Sequence, residues 1–518
     1  MRMFLILLVC ALVLVAASFL AALSYGHFAR HARGEDMWAL SNDPAFTILD
    51  RGIGPRVAAQ QGRSGLTLLP DNLDAFAARV LTARAAARSL DLMYYYWLDD
   101  RTGRLLANEL IAPADRGVRV RLLLDDINAS GKDSIYLALA SHPGISVRLF
   151  NPSRARDGGL RRGLEMVLRA FSVTRRMHNK AWIADGRLAI IGGRNIGDEY
   201  FDAAETSNFR DIDMLMMGPV VQETEAIFDS FWNSDVSMPI GALATAREGE
   251  LETLQTGLAQ LPGTDQAAPY VDRVLERISV LSMLDGGLPT YWTSEAKVIS
   301  DPPEKALARN PDNWMMTKLM PVIAAADRSV EITSPYFVPG VEGTRGLTGM
   351  VANGVDVAVL TNSLAATDVA AVHGGYAPYR RQLLAGGVRL FELQPHARPS
   401  GMSLFGSSAA SLHTKAFTVD GHTGFVGSFN FDPRSASLNT EMGVLFADEG
   451  LVGQMREVFA EETAPSMSYR VYLDAEGDLR WEGERDGKMQ IYDREPEAGL
   501  TRRIIATIVS WLPIESQL

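Results

Sequence analysis

His178, Lys180 and Asn195 recur as His413, Lys415 and Asn430, each separated from its twin by the same 235 positions (413 − 178, 415 − 180, 430 − 195). The first stretch runs His178-Asn-Lys-Ala-Trp-Ile-Ala-Asp185-Gly-Arg-Leu-Ala-Ile-Ile-Gly-Gly-Arg-Asn195, and the second His413-Thr-Lys-Ala-Phe-Thr-Val-Asp420-Gly-His-Thr-Gly-Phe-Val-Gly-Ser-Phe-Asn430. Both read as a β-hairpin: an alternating run, an Asp-Gly turn, and a second apolar run. On a strand, His and Lys two apart share a face, and the return strand brings Asn to the same end. Two such hairpins facing each other offer two imidazoles, two ammonium groups and two amides. That set suits a phosphodiester. Lys and Asn can hold the non-bridging oxygens as charge builds in the transition state. One imidazole can attack phosphorus to give a covalent intermediate while the other protonates the leaving alcohol and later deprotonates the acceptor. Two core strands choosing a lysine at the same inward position argues for chemistry, since lysines are almost never fully buried unless paired. Asp185 and Asp420 sit in the Asp-Gly turns, where a structural role is expected. No cofactor and no metal is expected, because the single cysteine, Cys10, excludes a Cys-rich zinc site and no ligand cluster stands out.

The elements that position these hairpins are themselves repeated. Ala86–Trp97 reappears as Ala326–Phe337, Gly117–Leu124 as Gly354–Thr361, and Gly144–Phe150 around Gly387–Phe391, in the same order. Within the first copy Asp71 caps a helical stretch through Ala87. Strands follow near Leu90–Leu98, Val118–Leu124 and Ser146–Phe150, with a helix carrying Leu105, Leu106, Leu110 and Ile111 between the first two. The second copy predicts a helix near Trp314–Ala325 and strands at Val330–Thr333 and Val355–Leu360. Alternating strands and helices make this an α/β protein with a mainly parallel or mixed sheet covered on both faces in each copy.

The expected organisation is an N-terminal segment (1–25), a first unit (64–238), a connecting segment (239–312), a second unit (313–447) and a charged tail (448–518). Met3–Leu23 carries no charge, and at about 1.5 Å per residue it would span a bilayer core of about 30 Å. An uncleaved single-pass anchor is expected over a cleaved signal, whose apolar stretch usually runs about 7–15 residues. The tail ends in Thr501–Leu512, where Arg502 and Arg503 accompany an apolar face and Trp511. That segment is read either as an amphipathic helix in a membrane interface or as one docked on the body.

The duplicated His-x-Lys-(x)4-Asp followed by Gly-Gly or Gly-Ser, one residue and Asn resembles the phospholipase D superfamily over roughly Leu66–Phe446. Asn208–Val220, Phe228–Ser234, Ser334–Pro339 and Leu438–Glu441 make it similar to bacterial cardiolipin synthases of the C-type branch. The resemblance implies two phospholipase D-type α/β/α sandwiches in a pseudo-two-fold arrangement. It also implies a phosphohistidine on His178, with His413 as acid and base, and an acidic residue after each motif, Asp213 and Glu441, that orients a histidine.

A net charge of −12 at pH 7 argues against a general nucleic-acid binder. Seven arginines between Arg154 and Arg176, just before His178, are read either as a solvated face or as a docking surface for anionic lipid. His373 is ambiguous, a loop residue that could touch substrate. The expected activity is transfer of a phosphatidyl group from phosphatidylglycerol to phosphatidylglycerol or another phospholipid at a bacterial cell membrane, giving cardiolipin. A hydrolytic phospholipase D making phosphatidic acid is the main rival; a nuclease or a non-catalytic membrane scaffold fits less well. Oligomeric state is not legible.

Overall fold

Two sheets of one design carry the repeated motifs. The computed structural model describes residues 2–43, 46–129, 133–156, 159–169, 174–264, 267–276, 279–285, 287–396, 409–512 and 514–517. In the first sheet the order is Tyr291–Thr293, Ser64–Leu69, Asp213–Met217, Leu188–Gly192, Ala181–Ala184, Ser89–Tyr94, Arg119–Asp125, Ile145–Phe150, Ser237–Pro239. In the second it is Ala296–Ser300, Met442–Ala447, Thr423–Gly427, Ala416–Val419, Ser329–Thr333, Asp356–Asn362, Arg389–Leu393, Ser468–Leu473, Leu479–Arg485, Lys488–Tyr492. In both, three neighbouring strands are parallel and the motif hairpin joins them antiparallel. Helices follow the expected boundaries closely: Asp71 accepts from Asp74 N at 2.8 Å and starts the helix Asn72–Ala85, and Met315–Ala324 lies where the second copy predicts it.

The Asp-Gly turns explain themselves. Asp185 and Gly186, like Asp420 and Gly421, have positive φ of 53°, 61°, 55° and 72°, conformations that Asp tolerates better than most residues and Gly freely. The Asp185 carboxylate accepts from the backbone N–H groups of Ala87, Arg88 and Ser89, and Asp420 does the same for Asp327, Arg328 and Ser329. Each aspartate therefore pins its hairpin turn to the start of the neighbouring central strand.

The two sheets share a core. Leu66, Met93, Ile183 and Met214 from one pack with Val426, Met442, Val444 and Phe446 from the other. Two further links cross the seam. Ser207–Arg210 pairs in parallel with Ala409–Leu412, and Met177 bridges Thr440. These links lay the approach to each motif histidine against the opposite half.

The flanks carry structure of their own. The connecting segment is folded: its helices Glu250–Gln260, Ala268–Leu275 and Val280–Asp285 place Leu258, Tyr270 and Met283 in the first unit's core. It then closes the first sheet with Tyr291–Thr293 and opens the second with Ala296–Ser300. The tail is likewise part of the second unit, supplying its last three strands and a helix, Glu449–Glu462. At the other end Arg2–Ala32 is one helix whose last turns pack Tyr25 and Ala29 on Met238. The side chains of Met3, Leu7, Cys10, Ala11, Leu14 and Ala22 lie outside the described residues. Among the described residues no helix is long and apolar enough to cross a membrane, so the spanning anchor expected over Met3–Leu23 is not shown.

Candidate active site

The crossed strands bring the two motifs to one place. His178 donates its backbone N–H to Thr440 O at 2.9 Å, and His413 donates to Arg210 O at 2.7 Å. Thr440 and Arg210 each precede an acidic residue, so each histidine lands beside a carboxylate of the other half. His178 Nδ1 lies 2.8 Å from Glu441 Oε2, and His413 Nδ1 lies 2.6 Å from Asp211 Oδ2. With Nδ1 held by a carboxylate, Nε2 is the nitrogen left to meet substrate. Glu441 is fixed in turn by Ser428 Oγ at 2.5 Å and Ser435 Oγ at 2.8 Å. All four groups are buried.

Glu441 therefore sits where the resemblance implied, but Asp213 does not. Asp213 accepts from Arg79 Nη2 at 2.9 Å and pairs with Arg194 at 3.4 Å, away from either histidine. The carboxylate on His413 is Asp211, two residues earlier. Sheet register gives the reason: Gly192 pairs with Asp213 and Gly427 with Gly443, so Asp211 and Glu441 are the equivalent positions. Room for Asp211 comes from Gly193, where a Cβ would stand 2.3 Å from Asp211 Oδ1. At the matching position Ser428 bonds the longer Glu441 instead.

The remaining motif groups surround the histidines. Lys180 Nζ donates to His178 O at 2.7 Å; Lys415 Nζ bonds His413 O and lies 2.8 Å from His413 Nδ1. Asn195 Nδ2 donates to Tyr200 OH at 2.8 Å, while Asn430 Oδ1 is buried without a partner. Tyr95 stands edge-on to His178 and Tyr200 to His413, with centroids 5.0 and 5.1 Å apart. His178, His413, Asn195 and Asn430 line one cavity of about 310 Å³, together with Tyr96, Tyr336, Asp368, Asp432, Arg434 and Asn439. Asp185 and Asp420 are not in its wall, in keeping with their work in the turns. The lysine ammonium groups stay outside the wall too, each turned back on its own histidine.

Burial sets the protonation. It pushes the His178 imidazole down to about 4 and His413 well below its ordinary range, where Lys415 adds to the effect. Burial also lowers Lys415 to about 8 and Lys180 well below the usual lysine value. At pH 7 both imidazoles are neutral, as a nucleophile must be. The negative charge of a phosphodiester would raise the basicity of whichever one donates a proton.

Two other expectations resolve differently. His373 faces away from the cavity, with Nε2 3.3 Å from Glu495 Oε1, beside the Arg380–Glu392 pair. His373, Glu392 and Glu495 lie close enough together to hold a metal ion. Arg380 already bonds both carboxylates, however, and Trp481 Nε1 bonds Glu392, while Glu495 Oε2 is buried without a partner among the described residues. Part of the arginine stretch is engaged in ion pairs, whereas Arg154 is exposed and Arg175 bonds the backbone carbonyls of Lys305 and Ser437. Arg156 pairs with Asp126 and Asp133, Arg169 with Glu165, and Arg176 with Asp125. The side chains of Arg161 and Arg162 lie outside the described residues.

Comparisons with known proteins show the family. Residues 81–232 and 319–463 match the family model "Cardiolipin synthase, PLD-like domain", and the chain belongs to that family. Cardiolipin synthase C of Escherichia coli is 39% identical over 476 residues, covering 90% of this chain and 99% of that protein. Cardiolipin synthase A of Pseudomonas putida is 28% identical over 388 residues, 74% of this chain and 65% of that protein. The crystal structure of phosphatidylserine synthase from Haemophilus influenzae matches with a TM-score of 0.57 at 12% identity, over 96% of this chain and 100% of that one; it shares the fold.

Proposed function

We propose that this chain makes cardiolipin at a bacterial membrane, moving a phosphatidyl group from phosphatidylglycerol to a hydroxyl of a second phospholipid. It is a phosphatidyltransferase of the phospholipase D type. Supporting the class are its family and a full-length relative that is a cardiolipin synthase. The observation that carries the mechanism is the crossed pairing, in which two neutral imidazoles share a cavity and each is oriented by a carboxylate of the opposite half.

In the mechanism His413, which takes up a proton when the anionic phosphodiester binds, gives it to the departing glycerol as His178 Nε2 attacks phosphorus. Asn195 and Asn430 steady the phosphoryl oxygens, and Lys180 and Lys415 supply positive charge close behind. His413 then removes the proton from the acceptor hydroxyl, which attacks the phosphohistidine and releases product. Water competes at about 55 M, so the site must present its lipid acceptor at far higher effective concentration; well-placed reactants reach about 10⁵ M or more.

Two helices support a membrane location. Arg2–Ala32 exposes Phe4, Leu8, Leu12 and Phe19. Leu500–Trp511 is docked, with Ala506 against Gly374, yet it turns Leu500, Ile504, Ile508 and Trp511 outward. Both readings of the C-terminal segment thus meet in one helix: one side holds the body while the other offers apolar residues to a lipid interface.

The test is product analysis with purified protein and head-group-labelled phosphatidylglycerol in vesicles. Cardiolipin with released glycerol is expected. Phosphatidic acid as the main product in acceptor-rich vesicles would make the chain a hydrolase.

A further inference from the structure

The catalytic pair is nearly symmetric, but transfer needs two unlike lipids, a donor that gives its phosphatidyl group and an acceptor that keeps its own phosphate. If the reading above holds, the acceptor brings a second negative charge that the histidine centre is not free to neutralise. The structure holds one cation suited to it. Among the described residues lining the cavity, Arg434 is the only arginine or lysine.

Its setting is unusual. The Arg434 guanidinium bonds only backbone carbonyls, Thr174 O at 2.8 Å and Gln517 O at 3.4 Å, and no carboxylate lies within ion-pairing distance of it among the described residues. A guanidinium has five donors in a fixed fork, so among the described residues capacity is left over; the carboxyl that shares its stretch of wall, Asp432, is buried and pushed up to about 7. Arg434 is half-buried, whereas His178, His413, Asn195 and Asn430 are all buried, so it lies outward of the reacting centre in the same cavity. Asn439 donates its backbone N–H to Arg434 O at 2.9 Å. Its side chain, 5% exposed, lines the cavity and leaves Oδ1 without a partner.

The first half has no counterpart. The matching position is Glu199 (434 − 199 = 235), an acidic residue. On the same rim Asp368 is exposed and accepts from Tyr336 OH at 2.7 Å. The mouth is therefore polarised, positive at Arg434 and negative at Asp368, although its floor is a symmetric pair.

We propose that Arg434, with Asn439 beside it, binds the phosphate of the acceptor phospholipid and so decides which bound lipid receives the phosphatidyl group. A planar guanidinium fits two phosphate oxygens at once, and the Asn439 carboxamide can meet a neighbouring hydroxyl.

The test is a competition in mixed micelles between phosphatidylglycerol, which carries a phosphate, and monoacylglycerol, which has similar hydroxyls and an acyl chain but none. With acyl-labelled phosphatidylglycerol as donor, the readout is the ratio of cardiolipin to phosphatidyl-monoacylglycerol. Because it is a ratio within one sample, partial loss of folded enzyme does not move it. Arg434→Gln should shift the ratio at least about tenfold toward the monoacylglycerol product, and Arg434→Lys, which keeps the charge but loses the fork, should shift it less. An unchanged ratio in both variants, whatever the total rate, would overturn the assignment and leave Arg434 as a brace between Thr174 and Gln517. If the unaltered enzyme transfers to neither acceptor and only releases phosphatidic acid, the transferase reading itself fails, and this proposal with it.

Discussion

Asp211 and Asp213 differ by one intervening residue, yet their replacement by asparagine should have opposite signatures. Asp211 Oδ2 lies 2.6 Å from His413 Nδ1, and both side chains are buried. Hydrogen bonds with one ionised partner are worth about 1.5–3 kcal/mol. At about 1.4 kcal/mol per factor of ten, Asp211→Asn should cost about 10- to 150-fold in turnover. The loss should be larger still if the amide selects the wrong tautomer of His413. The fold should tolerate this change, because an amide fills the same volume. Asp213→Asn breaks a different set of contacts. Asp213 faces Arg79 and Arg194, which are all but fully buried, and removing one partner of such a group costs about 3–5 kcal/mol. Its thermal midpoint should drop by several degrees, while turnover per folded molecule stays close to that of the unaltered enzyme. The assay pairs initial rates of cardiolipin formation with a thermal melt and an active-site titration of each variant. A folded Asp213→Asn protein that loses a hundredfold in turnover, beside an Asp211→Asn protein that loses none, would refute the pairing argued from register.

Three further outcomes are expected. His178→Ala and His413→Ala should each abolish most turnover, with the double variant little worse than either; protein-bound phosphatidyl label should vanish with His178→Ala, and label surviving there but lost in His413→Ala would reverse the roles. Stability should fall as pH drops from about 6.5 to about 4, because the unfolded His178 takes a proton near 6.5 while the folded one resists until about 4; the window is worth about 3 kcal/mol, and His178→Asn should flatten that part of the stability profile, an unaltered slope counting against the buried neutral imidazole. Ile508→Asp with Trp511→Ser should cut partitioning onto anionic vesicles by about tenfold or more, since each buried apolar side chain contributes about 1.5–3 kcal/mol; unchanged vesicle binding would leave the outward face of Leu500–Trp511 without a lipid role.

The motif hairpins were legible because their signals are local: alternation, an Asp-Gly turn, and a lysine two residues after each histidine. Repetition made the order of helices and strands in the second half readable from the first. Asp211 was hidden because its identity depends on register. Asn195 and Asp211 are 16 positions apart (211 − 195), whereas Asn430 and Glu441 are 11 apart (441 − 430), so the constant offset of 235 no longer holds at these carboxylates. The folding of the connecting segment and the tail was hidden for another reason. Polar residues with scattered Pro and Gly describe an exposed surface equally well when a few apolar side chains, such as Tyr270, Met283 and Trp481, are buried against another element. Arg434 gave no sign at all, because only packing shows that no described carboxylate pairs with it.

Two sheet-rich halves with a repeated hairpin offer two like histidines, and the proposed reaction needs them unlike. The differences lie in what touches each Nδ1. His178 Nδ1 meets a carboxylate held by two serines and, at 3.2 Å, the carbonyl of Ser428. Both neighbours are acceptors, so they fix the proton on Nδ1 and leave Nε2 its lone pair, the state a nucleophile requires. His413 Nδ1 meets Asp211 and also the Lys415 ammonium at 2.8 Å. That ammonium opposes a second positive charge on the ring, so His413 binds a proton weakly and gives it up readily, which suits a group that must donate to a leaving alcohol and recover the proton from the next. The asymmetry of the neighbours thus favours His178 as the attacking residue and His413 as the proton carrier, and it does so through side chains supplied in part by the half that each histidine does not belong to. Neither half could orient its own histidine alone.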